Sequence, residues 1–162
     1  MQTHRAQRFA GMVLAALLLA GETSAAQTVD QAFDARLADQ ERRIAEGLRD
    51  GSLTPAEAAR LQQAESRLNR EAARIQADGV ITPQERARME RHLDRVSREI
   101  LHQQHDGQRV NPNNPFSQRL ANQAERIANG IRDGSLTQRE AARLERQEAR
   151  QIYRARHNVW QR

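Results

Sequence analysis

"RLADQERRIAEGLRDGSLTPAEAARL" at 36–61 returns at 119–144 as "RLANQAERIANGIRDGSLTQREAARL", offset by 83 residues and identical at most positions. The ungapped alignment extends over 35–68 and 118–151, so the chain carries an internal duplication. Each copy has the same grammar. An apolar stripe at helical spacing runs into Asp-Gly, a hydrophobic residue, then Thr and, three residues later, Glu. Glycine closes the first helix by taking the left-handed conformation, and Thr caps the next one. Glu three residues after the Thr completes a capping box. The third block, "ADGVITPQE" at 77–85, repeats that punctuation with Thr82, Pro83 and Glu85.

On either side of these blocks, apolar residues recur in steps of three, four and seven: Phe33, Leu37, Ile44 and Leu48, then Leu61, Ala64, Leu68, Ala72 and Ile75. Met89, Leu93, Val96 and Ile100 form a third stripe, Phe116, Leu120, Ala124, Ile127 and Ile131 a fourth, and Ala141, Leu144, Ile152 and Val159 a fifth. No stretch alternates as a strand would. The spacing predicts an all-α fold, with helices near 30–49, 55–77, 83–104, 116–132 and 138–159. Short turns favour antiparallel helical hairpins, giving a three-helix unit over 27–106. The segment 107–115, rich in Asn and Pro, reads as a linker. Residues 116–162 read as a shortened duplicate, a helix pair too small for its own core that must dock on the first unit or on another chain.

The N-terminus reads as an export signal. Arg5 and Arg8 precede an apolar run from Phe9 to Ala20, and small residues lead to a cleavage site near Ala26. Residues 1–26 are therefore expected to be a signal peptide, and the mature chain periplasmic. It has no Cys, so stability must come from packing or assembly. Every basic residue is Arg. Residues 30–106 carry 13 Arg and 15 acids, whereas 107–162 carry 11 Arg and 5 acids, a net charge of +6.

Three sets of residues are candidates for chemistry. The turns resemble EF-hand loops, with Gly at the sixth position and Glu at the twelfth, which places Asp50, Glu57, Asp78, Glu85, Asp133 and Glu140 as turn acids. The early ligand positions, however, hold residues such as Leu48, Arg74 and Ile131, which supply no anionic oxygen to calcium. His92, Glu99, His102, His105 and Asp106 fall along the third helix in a strip suited to a transition metal. On the last helix, Arg143, Arg146, Arg150, Arg154 and Arg156, with Trp160, form a basic face for an anionic envelope surface. No nucleophile–base grouping or phosphate loop stands out, so an enzyme is not expected, and no cofactor beyond a divalent metal.

The blocks "RIAEGLRDGSLTPAEAARL", "ADGVITPQERARM" and "SREILHQQHD" resemble those of small exported proteobacterial proteins built from tandem helix–DGxLTxxE–helix repeats. That resemblance implies a helical exported protein and brings with it no activity and no site residues. The expected function is a non-enzymatic periplasmic helical binding or interaction protein, for example in envelope stress, acting on a protein partner or by self-association and not on nucleic acid. The alternative is periplasmic metal binding at the His/Glu/Asp strip or the turns.

Overall fold

The computed structural model describes residues 16–75, 77 and 81–159, with side chains from 31 to 75, at 77 and from 81 to 157. Among these there are five helices: α1 (Ala16–Asp50), α2 (Pro55–Ile75), α3 (Pro83–Gln104), α4 (Pro115–Arg132) and α5 (Gln138–Val159). The fold is all-α, as the apolar spacing predicts, and no described strand is present. The boundaries follow the expected ones closely except at the start. There α1 is described from Ala16, the first described residue, so it runs through part of the stretch read as a leader and past Gly21. Residues 1–15, Asp78 and Trp160 lie outside the described residues. No described helix is long and apolar enough to cross a membrane.

The chain divides into a unit ending at Phe33 and a unit from Asp34 to Arg162. The second holds both repeat copies, 35–68 and 118–151, in one compact body. The expectation that the shortened copy must dock is met within the chain, because α5 packs along α2.

Local chemistry sets the helix ends. Thr54 N–H donates to Glu57 Oε2 at 2.8 Å, while Thr54 Oγ1 accepts from Glu57 N–H at 3.2 Å. Thr82 with Glu85 and Thr137 with Glu140 form the same reciprocal pair. Asn114 Oδ1 accepts from Phe116 N–H at 2.9 Å, with Pro115 in the first turn of α4. Replacing Thr82 by Ala removes one such cap at an exposed site. It is expected to lower stability by about 1 kcal/mol in urea denaturation with an unchanged slope; an unshifted midpoint would show the cap to be idle.

Past the ends of α1 and α4, Leu53 and Leu136 fold back, each N–H donating at 2.8 Å to Gly47 O and Gly130 O respectively. A Cβ on Gly47 would lie 2.6 Å from Leu53 Cγ, and one on Gly130 2.6 Å from Leu136 Cγ. Only glycine leaves room for the leucine to cover the helix end.

In the first copy, α3 fills the groove between α1 and α2. The buried Gln40 amide donates to Leu93 O and Ser97 Oγ, both at 2.7 Å, and Gln104 Nε2 donates to Arg43 O at 3.1 Å. Arg36 pairs with Glu90 and, at 2.6 Å, with Asp94. Val96 and Ile100 join Ile44, Leu48, Leu53 and Leu61 in the main apolar cluster.

Candidate metal centre

Helices α2 and α5 are equivalent in the duplication, offset by 83, and pack antiparallel. Gln62 lies beside Glu148, and Ser66 Oγ donates to Ala142 O at 2.9 Å. A helix packed antiparallel on its own duplicate brings equivalent positions together reciprocally. Gln62 and Glu65 of α2 correspond to Glu145 and Glu148 of α5, so these four residues meet across one interface. Glu41 of α1 joins them, where α4 has Ala124.

The result is a buried carboxyl cluster. Glu41, Glu65 and Glu145 are fully buried and Glu148 is 3% exposed. Ligand oxygens of Glu41, Glu65 and Glu145 all lie within 4.8 Å of one another. One carboxyl oxygen is satisfied, Glu145 Oε1, which accepts from Asn69 Nδ2 at 2.7 Å. The other seven have no donor from the protein when the groups are ionised. The Glu41 and Glu65 carboxyls face each other closely enough for a proton on one to be shared with the other. Gln62, fully buried, has neither amide atom in a hydrogen bond of ordinary geometry.

Electrostatics follows from this burial. Removal from water pushes the Glu41 carboxyl up to about 7, with the neighbouring Glu65 pulling the other way. Burial also raises Glu65 well above the ordinary carboxylate range, helped by the charge of Glu41 and then Glu145. Glu145 is raised in the same way by burial and by Glu41, against the Asn69 hydrogen bond. Burial and the charge of Glu41 lift Glu148 to about 8, against a weaker pull the other way from the Gln62 amide beside it. Two guanidinium groups bear on the cluster without pairing with it. Arg43 donates to Ser97 O at 3.4 Å and Arg70 to Ser66 Oγ at 3.1 Å.

Such a cluster is expensive unless something positive occupies it. Burying ionised carboxylates without partners costs several kcal/mol each. Two kinds of occupant relieve it: protons, which neutralise the groups, or a cation, which they can ligate. The ligand set is oxygen only, from carboxylates with amides alongside, which suits a hard cation such as Ca²⁺ or Mn²⁺. Two oxygens on opposite sides of one Ca²⁺ lie roughly 4.6–5.2 Å apart, twice the usual bond length. The observed spread falls within that reach.

The residues singled out from sequence are placed elsewhere. Asp50 and Asp133 each accept from a backbone N–H two residues on, Ser52 at 2.8 Å and Ser135 at 2.9 Å. Glu57, Glu85 and Glu140 are the capping acids already described, and the hydrogen bonds from Thr82 and Thr137 hold Glu85 and Glu140 below the usual carboxylate range. These turn acids are separated by their own turns and form no common site among the described residues. The helix α3 strip is not gathered either. His92 Nδ1 pairs with Glu71 of α2 at 2.9 Å, Glu99 accepts from Gln103 at 2.9 Å, and His105 Nδ1 meets Leu101 O at 2.8 Å. His102, His105 and Asp106 share only a shallow surface depression, and Asp106 accepts from Gln108 N–H at 2.8 Å. With His92, Glu99, His105 and Asp106 each held by such a local partner, no three ligand atoms of the strip gather among the described residues. Arg143, Arg146, Arg150 and Arg154 do line one shallow hollow on α5, and Arg156 is exposed beyond it.

Sequence reasoning missed the carboxyl cluster because Glu on an Arg-rich helix reads as solvated surface. A signal was present. Between Leu37 and Ile44 the apolar stripe of α1 skips a turn, and Glu41 fills it. In α4 the stripe is unbroken, with Ala124 at the matching place between Leu120 and Ile127. The stripe of α5 skips from Leu144 to Ile152, and Glu145 and Glu148 lie in that gap. No family model, curated protein or solved structure matches the chain.

Proposed function

We propose that this is an exported, non-enzymatic helical binding protein that holds a divalent cation in its core, with Glu41, Glu65 and Glu145 as ligands and Glu148 and Gln62 beside them. The observation that supports this reading is the convergence of three fully buried carboxyls, drawn from three helices, within 4.8 Å of one another. A divalent ion neutralises two of the charges and ligates oxygens that otherwise lack donors. The remaining carboxyls keep a proton or accept from Asn69. Full burial of Glu41, Glu65 and Glu145 favours storage, sensing or structural use of the ion over turnover, with Glu148 alone bordering the open groove between α4 and α5. Export rests on the N-terminal sequence pattern.

Calorimetry on chelator-stripped protein with Ca²⁺, Mn²⁺, Mg²⁺ and Zn²⁺ tests the proposal. The expected result is saturable binding of a hard cation, with proton release visible as a dependence of the heat on the buffer. Glu41→Gln should weaken it by tenfold or more, while His102→Ala leaves it unchanged. Absence of both heat and thermal shift with all four ions would sink the reading. Loss of binding in His102→Ala alone would move the site to the α3 strip.

A further inference from the structure

The two copies are not equally complete. In the first, α3 lies in the groove between α1 and α2; in the second, no described helix follows α5 to do the same. The corresponding groove between α4 and α5 is open, with a volume of about 490 Å³.

The groove keeps the fittings that hold α3 in the first copy. Gln123 corresponds to Gln40, Arg126 to Arg43, Gly130 to Gly47, Leu136 to Leu53 and Leu144 to Leu61. What differs is cover. Leu61 is 1% exposed, whereas Leu144 is 37% exposed. Leu53 is fully buried and Leu136 only partly so. Gln40 is buried with both of its donor contacts on α3, and Gln123 is half-buried on the groove wall.

We propose that the α4–α5 groove is a docking site for an amphipathic helix of another protein, with chemistry like that of α3. Its apolar residues take the places of Val96 and Ile100 over Leu144 and Leu136. Its backbone carbonyl accepts from Gln123, as Leu93 O accepts from Gln40. Acidic residues take the places of Glu90 and Asp94, because Arg119 corresponds to Arg36 and stands over the Phe116 ring, 6.0 Å from its centre. The lining itself has Arg126 against Asp133 and Glu148, so the acidic residues are expected only at the Arg119 end, within a segment, 107–162, that carries 11 Arg against 5 acids. One end of the groove is more polar than its counterpart, since Gln147 and Gln151 replace Ala64 and Leu68, so the occupant is more polar than α3 where it meets them.

Exchange of α3 between copies cannot fill the groove. Each chain has two such grooves and one α3, and α3 is already buried through Met89, Leu93, Val96 and Ile100. Any closed ring of exchanged helices leaves one groove open per chain. Among the described residues, then, no helix of a second copy is free to fill the groove.

A fluorescent synthetic peptide of residues 82–106, the α3 sequence itself, serves as the probe. Titrated with the intact protein, its anisotropy is expected to rise to saturation at one peptide per chain. Leu144→Arg should weaken binding at least tenfold with an unchanged helical circular-dichroism spectrum, as Leu144 is partly exposed already. Gln123→Ala, a milder change on the opposite wall, should weaken it several-fold. A scrambled peptide should not bind. Binding that survives both substitutions, or that the scrambled peptide matches, overturns the proposal, as does no saturation at all. Self-association of the protein that Leu144→Arg abolishes, without peptide binding, would assign the groove to a second copy and overturn it equally.

Discussion

Metal-free protein is expected to lose stability as the pH rises from about 5 to about 8, the reverse of ordinary acid denaturation. The sign follows from the buried carboxyls. Glu41, Glu65, Glu145 and Glu148 all sit above their ordinary value of 4.5 in the folded chain. Between that value and their raised ones, the folded state holds more protons than the unfolded state. Each group therefore contributes stability that is fully present below the unfolded pKa and is lost as pH climbs through the folded one. For Glu41, a rise to about 7 corresponds to a loss on the order of 3 kcal/mol. The four groups do not add, because they share protons and repel one another. The exposed capping acids Glu85 and Glu140, held below their usual range, oppose this only on the acid side. Their stabilisation disappears as pH falls through the lowered values. Thermal melts in chelator across this range should show a falling transition temperature. Replacing Glu41 and Glu65 by Gln should flatten the trend, and a saturating hard cation should reverse it, since binding the native state alone stabilises it by mass action. A metal-free protein that grows more stable towards pH 8 would contradict the buried cluster itself.

The second large effect separates two glycines that the sequence makes identical. Gly51 and Gly134 both take positive φ, 78° and 75°. An alanine at either position incurs the left-handed backbone cost of roughly 1–2 kcal/mol. At Gly51 there is more. A Cβ would lie 2.2 Å from Val110 O, and Val110 N–H donates to Gly51 O at 3.0 Å. Substitution must push the strap after α3 away and break that bond, adding on the order of 1–3 kcal/mol. At Gly134 nothing lies within 4 Å. Gly51→Ala is therefore expected to destabilise by about 3–4 kcal/mol, and Gly134→Ala by no more than about half of that. Urea denaturation of the two variants measures the difference. Equal losses would mean that the strap at Val110 does not hold the first copy closed.

The two expectations draw on the same asymmetry. Where α3 and its strap cover the first copy, a small change at a turn is felt by the segment above it. In the second copy the same turn faces open space, and Leu144 is left partly exposed beside it.

Features that neighbouring residues decide were legible before any coordinates. The Thr54–Glu57, Thr82–Glu85 and Thr137–Glu140 pairs and the closing glycines act within one turn of the chain, so helix type and ends could be read in advance. The 83-residue offset likewise needed no tertiary information. The metal candidates read along single helices, the α3 strip and the turn acids, did not converge among the described residues, because strip groups such as His92 and Glu99 take local partners and a turn acid is consumed by its own turn or cap. The carboxyl cluster depends on which helix faces which. Glu41, Glu145 and Glu148 are ordinary interruptions in an apolar stripe, and Glu65 stands beside an unbroken one. Only the antiparallel packing of α2 on α5, with α1 alongside, brings the four carboxyls together and removes them from water. The open groove is the other half of that decision. The repeat matches α4 and α5 to α1 and α2, but only the packing shows that α5, having docked through one face on α2, leaves the groove beside Leu144 uncovered by any described residue.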